Sequence, residues 1–289
     1  MNFQIKLHHQ TKYCDPVGPS FPRAKKWKIE IEGTQIEFRA PKHQPMVKSV
    51  KAQYPERSYQ YNNHSMIFRS ENKEWVVEDK WENAILFNHD WAFNGPWFTG
   101  CLAHVSMSLL IFKSKEPNQD ISYFHPRAFE QTIGDYLTNH YSGIKSGGKH
   151  DYTAPINWQS IDSLSVVAAR LEVISDGSVA SYSKDEYLFF PIDNQHFMVL
   201  SFHPSRSARG NEVEMDKKIG YKNLGALIDN IIGSVKVTLS PEAQAQQTKA
   251  LEGLGDTSLV KEFPPMKWAK SKRDAVVNED MRLNNSEIT

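Results

Sequence analysis

Two apolar runs on either side of Asn94-Gly95-Pro96 constrain the fold more than any other feature of this chain. In residues 85–93 the odd positions carry apolar and aromatic side chains with His89 among them, and from Cys101 onward the odd positions are again apolar. Alternation with a period of two is typical of a β-strand with one buried face. An Asn-Gly-Pro sequence favours a turn. The sequence therefore predicts a long antiparallel hairpin within residues 83–113.

The length of the connection decides which side chains meet across this hairpin. A two-residue Asn94-Gly95 turn would place the aromatic face of the first strand against the mixed face of the second. A three-residue connection that includes Pro96 places both apolar faces on the same side and keeps a residue without an N–H out of the ladder. We therefore expect the three-residue connection, which sets His89 directly opposite Cys101.

His89 and Cys101 are accordingly the candidate catalytic residues. An imidazole beside a thiol can stabilise the thiolate for nucleophilic attack. The alternative is structural, with Cys101 as a small apolar core residue and His89 as a hydrogen-bonded polar residue of the core. Because no glycine-rich turn surrounds Cys101 and no third residue can be named that orients His89, the sequence favours the structural alternative.

Aromatic and basic residues provide the candidate binding positions. Four of the seven tryptophans lie close together in the sequence, which predicts an exposed aromatic surface in that region. The loop 203–212 combines arginines with serine hydroxyls, a composition suited to an anion. The alternatives are an aromatic core and a solvated loop. The predicted binding residues are Trp75, Trp81, Trp91, Trp97, Arg206 and Arg209.

Several classes of function lack their sequence signals. The chain has no P-loop pattern, no GxSxG nucleophile turn and no GxGxxG motif, and its histidines do not follow a metal-ligand spacing. We therefore expect neither a cofactor nor a metal. Lys plus Arg and Asp plus Glu are equal at 34 each, so the chain has no general attraction to nucleic acid or to anionic membranes.

Cysteine usage and hydropathy predict a cytoplasmic protein. No apolar run is long enough for a secretory signal or a membrane span. Cys14 and Cys101 show neither a CxxC pattern nor the spacing of a disulfide-rich secreted domain. Such usage is typical of a reducing compartment.

Hydrophobic periodicity predicts the remaining elements. Both faces of the second hairpin are apolar, so we expect that hairpin to be covered on both sides; Pro191 within it suggests an edge strand or a bulge. The predicted elements are a hairpin over 26–39 with its turn at Glu32-Gly33, a helix over 126–141, a strand over 165–175, a hairpin over 187–202 that turns at Asp193-Asn194, a helix from Leu224 that ends at Gly233, a strand in SVKVTL, and a polar helix over 241–253.

This order of elements predicts an α+β fold in which antiparallel β-meanders are packed by amphipathic helices. One alternative is two similar halves, 22–142 and 156–240, since Phe-His-Pro occurs in both; the other is one large domain. Residues 143–155 are rich in Gly and Ser and read as a linker. Residues 241–289 are predicted to form a surface helix and a flexible polar tail.

The second half resembles the PsbP/Mog1-type α/β/α sandwich in its order of elements. The residues that carry the resemblance are LGALIDNIIGSVKV, 224–237, and the meander before them. In that superfamily a late helix leads directly into a last strand. The resemblance implies a binding or assembly module more than an enzyme, and it brings no catalytic motif to this sequence.

The expected function follows from these observations. We expect a non-catalytic cytosolic protein-binding module, an adaptor or an inhibitor of the immunity type, that recognises another protein through an aromatic-lined surface. The alternative is a small-molecule enzyme in which Cys101 is the nucleophile and His89 the base.

Overall fold

The structure is a computed structural model that describes residues 13–52, 59–60, 65–68, 76–77, 80–96, 99–116, 121–146, 149–175, 182–208 and 210–268. These ranges contain strands β1 Lys25–Ile31, β2 Thr34–Ala40, β3 Tyr59–Gln60, β4 Ser65–Phe68, β5 Val76–Val77, β6 Trp81–Asn94, β7 Cys101–Ser114, β8 Lys145–Ser146, β9 Lys149–His150, β10 Tyr152–Ser160, β11 Ala169–Ser175, β12 Ser183–Pro191, β13 His196–Arg206 and β14 Lys236–Thr238. The helices are α1 Pro126–Tyr141, α2 Glu212–Asp216, α3 Lys222–Ile232 and α4 Pro241–Leu251.

The described part of the chain contains two large sheets and a small two-stranded sheet formed by β8 and β9. The larger has seven strands in the order β10-β11-β12-β13-β7-β6-β5, all antiparallel. The smaller has five strands in the order β14-β2-β1-β4-β3, antiparallel except for the β1–β4 pair. The prediction of an α+β fold with antiparallel sheets is confirmed.

The seven-stranded sheet has a buried core on each face. Its inner face, which includes Leu188 and Phe190 of β12, packs against β1, β2 and the apolar side of α3. Its outer face, which includes Tyr187 and Phe189, packs against α1. The β12–β13 hairpin is therefore covered on both sides, as its sequence predicts.

Local sequence signals account for most element boundaries. Glu32 and Gly33 connect β1 to β2 with φ of 47° and 79°, the two left-handed residues that a tight hairpin turn requires. The helix predicted over 126–141 is α1, and α3 ends directly before Gly233. Pro191 does not mark an edge strand, because β12 is central in the sheet. It is the last residue of β12, beyond the final β11 partner of that strand, where its missing N–H leaves the β11 ladder intact.

The predicted register of the β6–β7 hairpin is wrong. Phe93 pairs with Ala103 and the last pair is Asn94 with Cys101, so six residues, 95–100, connect the strands instead of three. The Gly95 N–H donates to the Gly100 carbonyl at 2.9 Å and closes this longer connection. From Phe87 to Phe93 the pairing has moved by six residues, an even number, so the predicted apolar faces stay together with different partners. A bulge between Ile85 and Phe87 changes the register before this segment, and Leu86 instead of Ile85 lies in the inner core.

Strands from both predicted halves lie in one sheet. β7, from residues 22–142, pairs along 11 residues with β13, from residues 156–240. The predicted linker 143–155 contains β8, β9 and the first residues of β10. The division into two similar halves stays a prediction.

The first part of the predicted tail contacts the outer core. Leu259 is 3% exposed, and the Val260 N–H donates to Glu130 at 2.6 Å. The Val260 carbonyl accepts a hydrogen bond from the indole of Trp158 at 2.8 Å. The apolar residues of this part of the tail are too widely spaced to produce a periodic pattern, so the sequence does not predict that it packs against the core. Residues 269–289 lie outside the described residues.

Replacement of the buried Ile228 tests the role of α3 as cover for the inner core. We expect Ile228→Ala to lower the free energy of unfolding by about 2–5 kcal/mol, because it leaves a cavity between α3 and the sheet. Lys222→Ala, on the exposed side of the same helix, is the control and should change little. Urea denaturation measures both, and equal effects would contradict this packing.

Candidate functional site

The structure does not bring His89 and Cys101 together. His89 pairs with Met107, whereas Cys101 pairs with Asn94, five residues further along β6. At a rise of roughly 3.4 Å per residue, about 17 Å of strand separates the two positions. The sequence prediction of a facing imidazole and thiol is wrong because the hairpin connection is longer than three residues.

His89 is a residue of the inner core. Its side chain is 1% exposed, and its Nδ1 lies 3.2 Å from the carbonyl oxygen of Pro41, which can only accept a hydrogen bond. The ring centroids of Phe87 and Trp27 lie 4.2 and 5.2 Å away. Cys101 is half-buried, and its thiol donates to the Ala103 carbonyl at 3.0 Å. Each residue therefore has the surroundings of the structural alternative.

Two residues of the predicted aromatic surface, Trp81 and Trp91, lie in the core. Trp81 is 4% exposed and Trp91 is fully buried. The indole N–H of Trp91 lies within hydrogen-bond distance of the carbonyls of Pro41 and Lys42, at 3.3 and 3.2 Å. Aromatic side chains bury a large apolar area when they lie in a core. For Trp81 and Trp91, the clustering of tryptophans in the sequence therefore reflects core packing and not an exposed surface. Trp75, Trp97 and Arg209 lie outside the described residues.

A cleft opens where β12 and β13 separate. Their ladder ends at the pair Glu186 and Phe202. Beyond it, 183–185 still pair with β11, and 203–206 still pair with β7. The two strands thus diverge from each other while each keeps its outer neighbour. We call the cavity of about 220 Å³ between them the fork cleft; it is lined by 182–185, 203–206, His104, Ser106, Met215 and Tyr221.

Pro204 gives a local reason for the fork. It lies in β13 opposite Val105 and brings no N–H to either neighbouring strand. Proline in a strand interior is typical of a place where pairing on one side stops. The Phe-His-Pro sequence at 202–204 was thus a signal for the cleft, although the sequence alone does not show which ladder ends there.

An imidazole and a carboxylate meet at the closed end of the fork cleft. His203 Nδ1 lies 3.1 Å from Asp185 Oδ1. The side chain of His203 is 46% exposed and that of Asp185 is 17% exposed, so the pair borders the solvent-accessible cavity. These two residues are not among the sequence-based candidates. They connect the two diverging strand ends, 183–185 and 203–206, which we call the arms of the fork.

The inner wall of the cleft is built around the ring of Tyr221. The Lys184 ammonium lies 5.0 Å from the ring centroid, and the Arg206 guanidinium carbon lies 5.6 Å from it. Contacts of this kind attract a cation to an aromatic face. Carboxylates behind the lining hold both cations: Glu172 lies 2.7 Å from the Lys184 ammonium, and Asp216 pairs with Arg206.

A buried carboxylate supports this wall from beneath. Glu186 is 2% exposed, accepts a hydrogen bond from the Tyr221 hydroxyl at 2.6 Å and pairs with Arg170. Arg170 also lies 2.7 Å from Asp229 of α3. Burial, and then the charge of Glu186, raises the pKa of Tyr221 well above its ordinary value. The phenol therefore remains a hydrogen-bond donor to Glu186.

The serine of the outer wall, Ser106, is hydrogen-bonded away from the imidazole of the cleft. Ser106 lies opposite His203 in the β7–β13 ladder, but its hydroxyl donates to Asp90 instead. The hydroxyl hydrogen of Ser106 is therefore directed to the Asp90 carboxylate and not to the His203 imidazole. The arrangement is suited to holding a polar group in place.

Among the described residues, no group of three or more His, Cys, Asp or Glu side chains is arranged to hold a metal ion. No helix within them has both the length and the apolar character to span a bilayer. In the comparisons with known proteins, no family model, curated protein or solved structure matches the chain.

Thiol reactivity tests the separation of His89 from Cys101. In a Cys14→Ser background, we expect His89→Asn to leave the rate of Cys101 alkylation at neutral pH unchanged, because the imidazole and the thiol do not touch. Asn keeps a donor near the position of Nδ1 and so preserves the hydrogen bond to Pro41. A strong decrease in rate in a variant with native near-UV circular dichroism would contradict the observed register.

The Tyr221 hydroxyl provides a test of the support beneath the cleft. We expect Tyr221→Phe to lower the free energy of unfolding by about 1–3 kcal/mol, because Glu186 stays buried with one donor fewer. Tyr13→Phe removes an exposed hydroxyl that also donates to a carboxylate, and it should have little effect. Thermal denaturation of the two variants compares them directly; a neutral Tyr221→Phe would show that the hydrogen bond does not stabilise the fold.

Proposed function

We propose that the protein is a non-catalytic module that recognises another protein, as an adaptor or an inhibitor does, and that the fork cleft is its contact site. The observation that carries this proposal is a preformed polar cleft between two strands whose charged side chains are already held by partners within the fold. Groups that need little rearrangement lose little conformational entropy on binding, and preorganisation of this kind increases affinity.

The surroundings of the candidate nucleophiles support recognition over catalysis. Cys101 donates its thiol hydrogen to a carbonyl, and Ser106 donates its hydroxyl hydrogen to Asp90. Neither hydrogen bond is to an imidazole. The enzyme alternative that relied on Cys101 and His89 therefore receives no geometric support.

The contact surface differs from the one that the sequence suggested. Trp81 and Trp91 are buried, so they do not supply exposed anchors. Arg206 is the predicted binding residue that lines the fork cleft, although its side chain is only 5% exposed. Accessible groups come from its neighbours His203 and Ser205 on β13. We propose that these groups, with the arms of the fork, meet the partner.

A cytosolic location is part of this proposal. Cys14 and Cys101 are both free thiols in the fold. Free cysteines in a folded domain are typical of proteins that work in a reducing compartment.

Site-specific photocrosslinking tests the contact site. A benzophenone amino acid in place of Ser207, an exposed residue beside the cleft, should capture a protein partner in native cell lysate. Ser205→Trp, which fills the cleft, should reduce the yield of this adduct about tenfold, a change equivalent to 1.4 kcal/mol of binding free energy. Gel electrophoresis and mass spectrometry measure the yield.

Thr153→Trp is the matched control, since Thr153 is an exposed strand residue on β10 and outside the cleft lining. It should leave the adduct unchanged. Absence of any protein adduct at Ser207, or equal adducts with and without Ser205→Trp, would show that the cleft does not contact a protein.

A further inference from the structure

The open arms of the fork cleft resemble the two edges between which a missing strand would lie. Residues 183–185 pair with β11 and 203–206 with β7, but no ladder joins the two arms beyond Glu186. Residues in an extended strand direct their N–H and C=O groups alternately to the two sides. Each arm therefore presents main-chain donors and acceptors to the cleft.

We infer that the fork cleft takes the extended C-terminal end of the partner protein, an inference that rests on the recognition function proposed above. The chain end pairs with the open arms by strand addition, and its terminal carboxylate lies against the polar lining. Strand addition and capture of a terminal carboxylate are both general modes of peptide recognition.

The dimensions of the fork limit the occupant to a short segment. The longer arm, 203–206, has four residues and spans about 13 Å of extended chain. The pairing of Glu186 with Phe202 closes the far end, and the contact between His203 and Asp185 lies directly beside it. A strand that enters the fork cannot continue through this closed end. The segment that fits is therefore the end of a chain.

The composition of the lining selects the carboxyl end over the amino end. The lining contains the imidazoles of His104 and His203 and the hydroxyls of Ser183 and Ser205, which can donate, against the single carboxylate of Asp185. The cations Lys184 and Arg206 also line the cleft, where each is paired with a carboxylate from outside the lining. The Asp185 carboxylate already contacts the imidazole of His203. A terminal ammonium would meet a surplus of donors, whereas a terminal carboxylate accepts from them.

Peptide pools test this inference with the intact protein. Two pools of random-sequence tetrapeptides, one with free C-terminal carboxylates and one amidated, are passed over the immobilised full chain. The wild type should retain members of the free-carboxylate pool about tenfold more than the amidated pool. Ser205→Trp should abolish this retention, and Thr153→Trp should preserve it. Mass spectrometry of the eluted peptides measures the difference.

The outcomes separate this inference from the proposed function. Equal retention of both pools, or retention of neither while the Ser207 adduct with a protein persists, overturns the C-terminal assignment and leaves protein recognition standing. A crosslink that maps to the last residues of the partner supports the assignment, and one in the interior of its chain overturns it. Loss of every protein adduct overturns the recognition function itself.

Discussion

Burial of both faces of the β12–β13 hairpin is the constraint on which the rest of the structure depends. Large apolar side chains alternate on its two sides, so water must be removed from both. The smaller sheet and α3 cover one face, and α1 with residues around Leu259 covers the other. Because these strands are central in the seven-stranded sheet, the layers are fixed in place by this one hairpin.

The fork cleft lies where the β12–β13 ladder of this hairpin ends, at the pair Glu186 and Phe202. β12 and β13 each remain bound to an outer neighbour, so the opening between them does not depend on a flexible edge. Two ion pairs, Lys184 with Glu172 and Arg206 with Asp216, lie around it, together with the contact between the imidazole of His203 and the carboxylate of Asp185. Side chains held in this way need little rearrangement on binding, which is the property on which the proposed recognition function rests.

Local signals predicted the elements better than the site. The Glu32-Gly33 turn and the start of α1 at Pro126 follow from short-range steric preferences, which act within a few residues. The β6–β7 register also followed in part, since apolar faces had to coincide. From Phe87 to Phe93 the predicted partners were wrong because a shift of six residues satisfies the same facial pattern, and before Phe87 a bulge changed the faces as well.

By itself, the sequence determined the α+β class, the doubly covered hairpin, and the apolar sides of the helices and strands, because periodicity reports burial directly. Only the tertiary structure decided that Trp81 and Trp91 are core residues and not surface anchors, and that Asp185, His203 and Tyr221 surround one cavity. Those residues come from different elements, and their proximity depends on where the β12–β13 ladder ends. The physical reason is that packing on both sides of a strand determines where its ladder ends. A local sequence pattern does not contain this information.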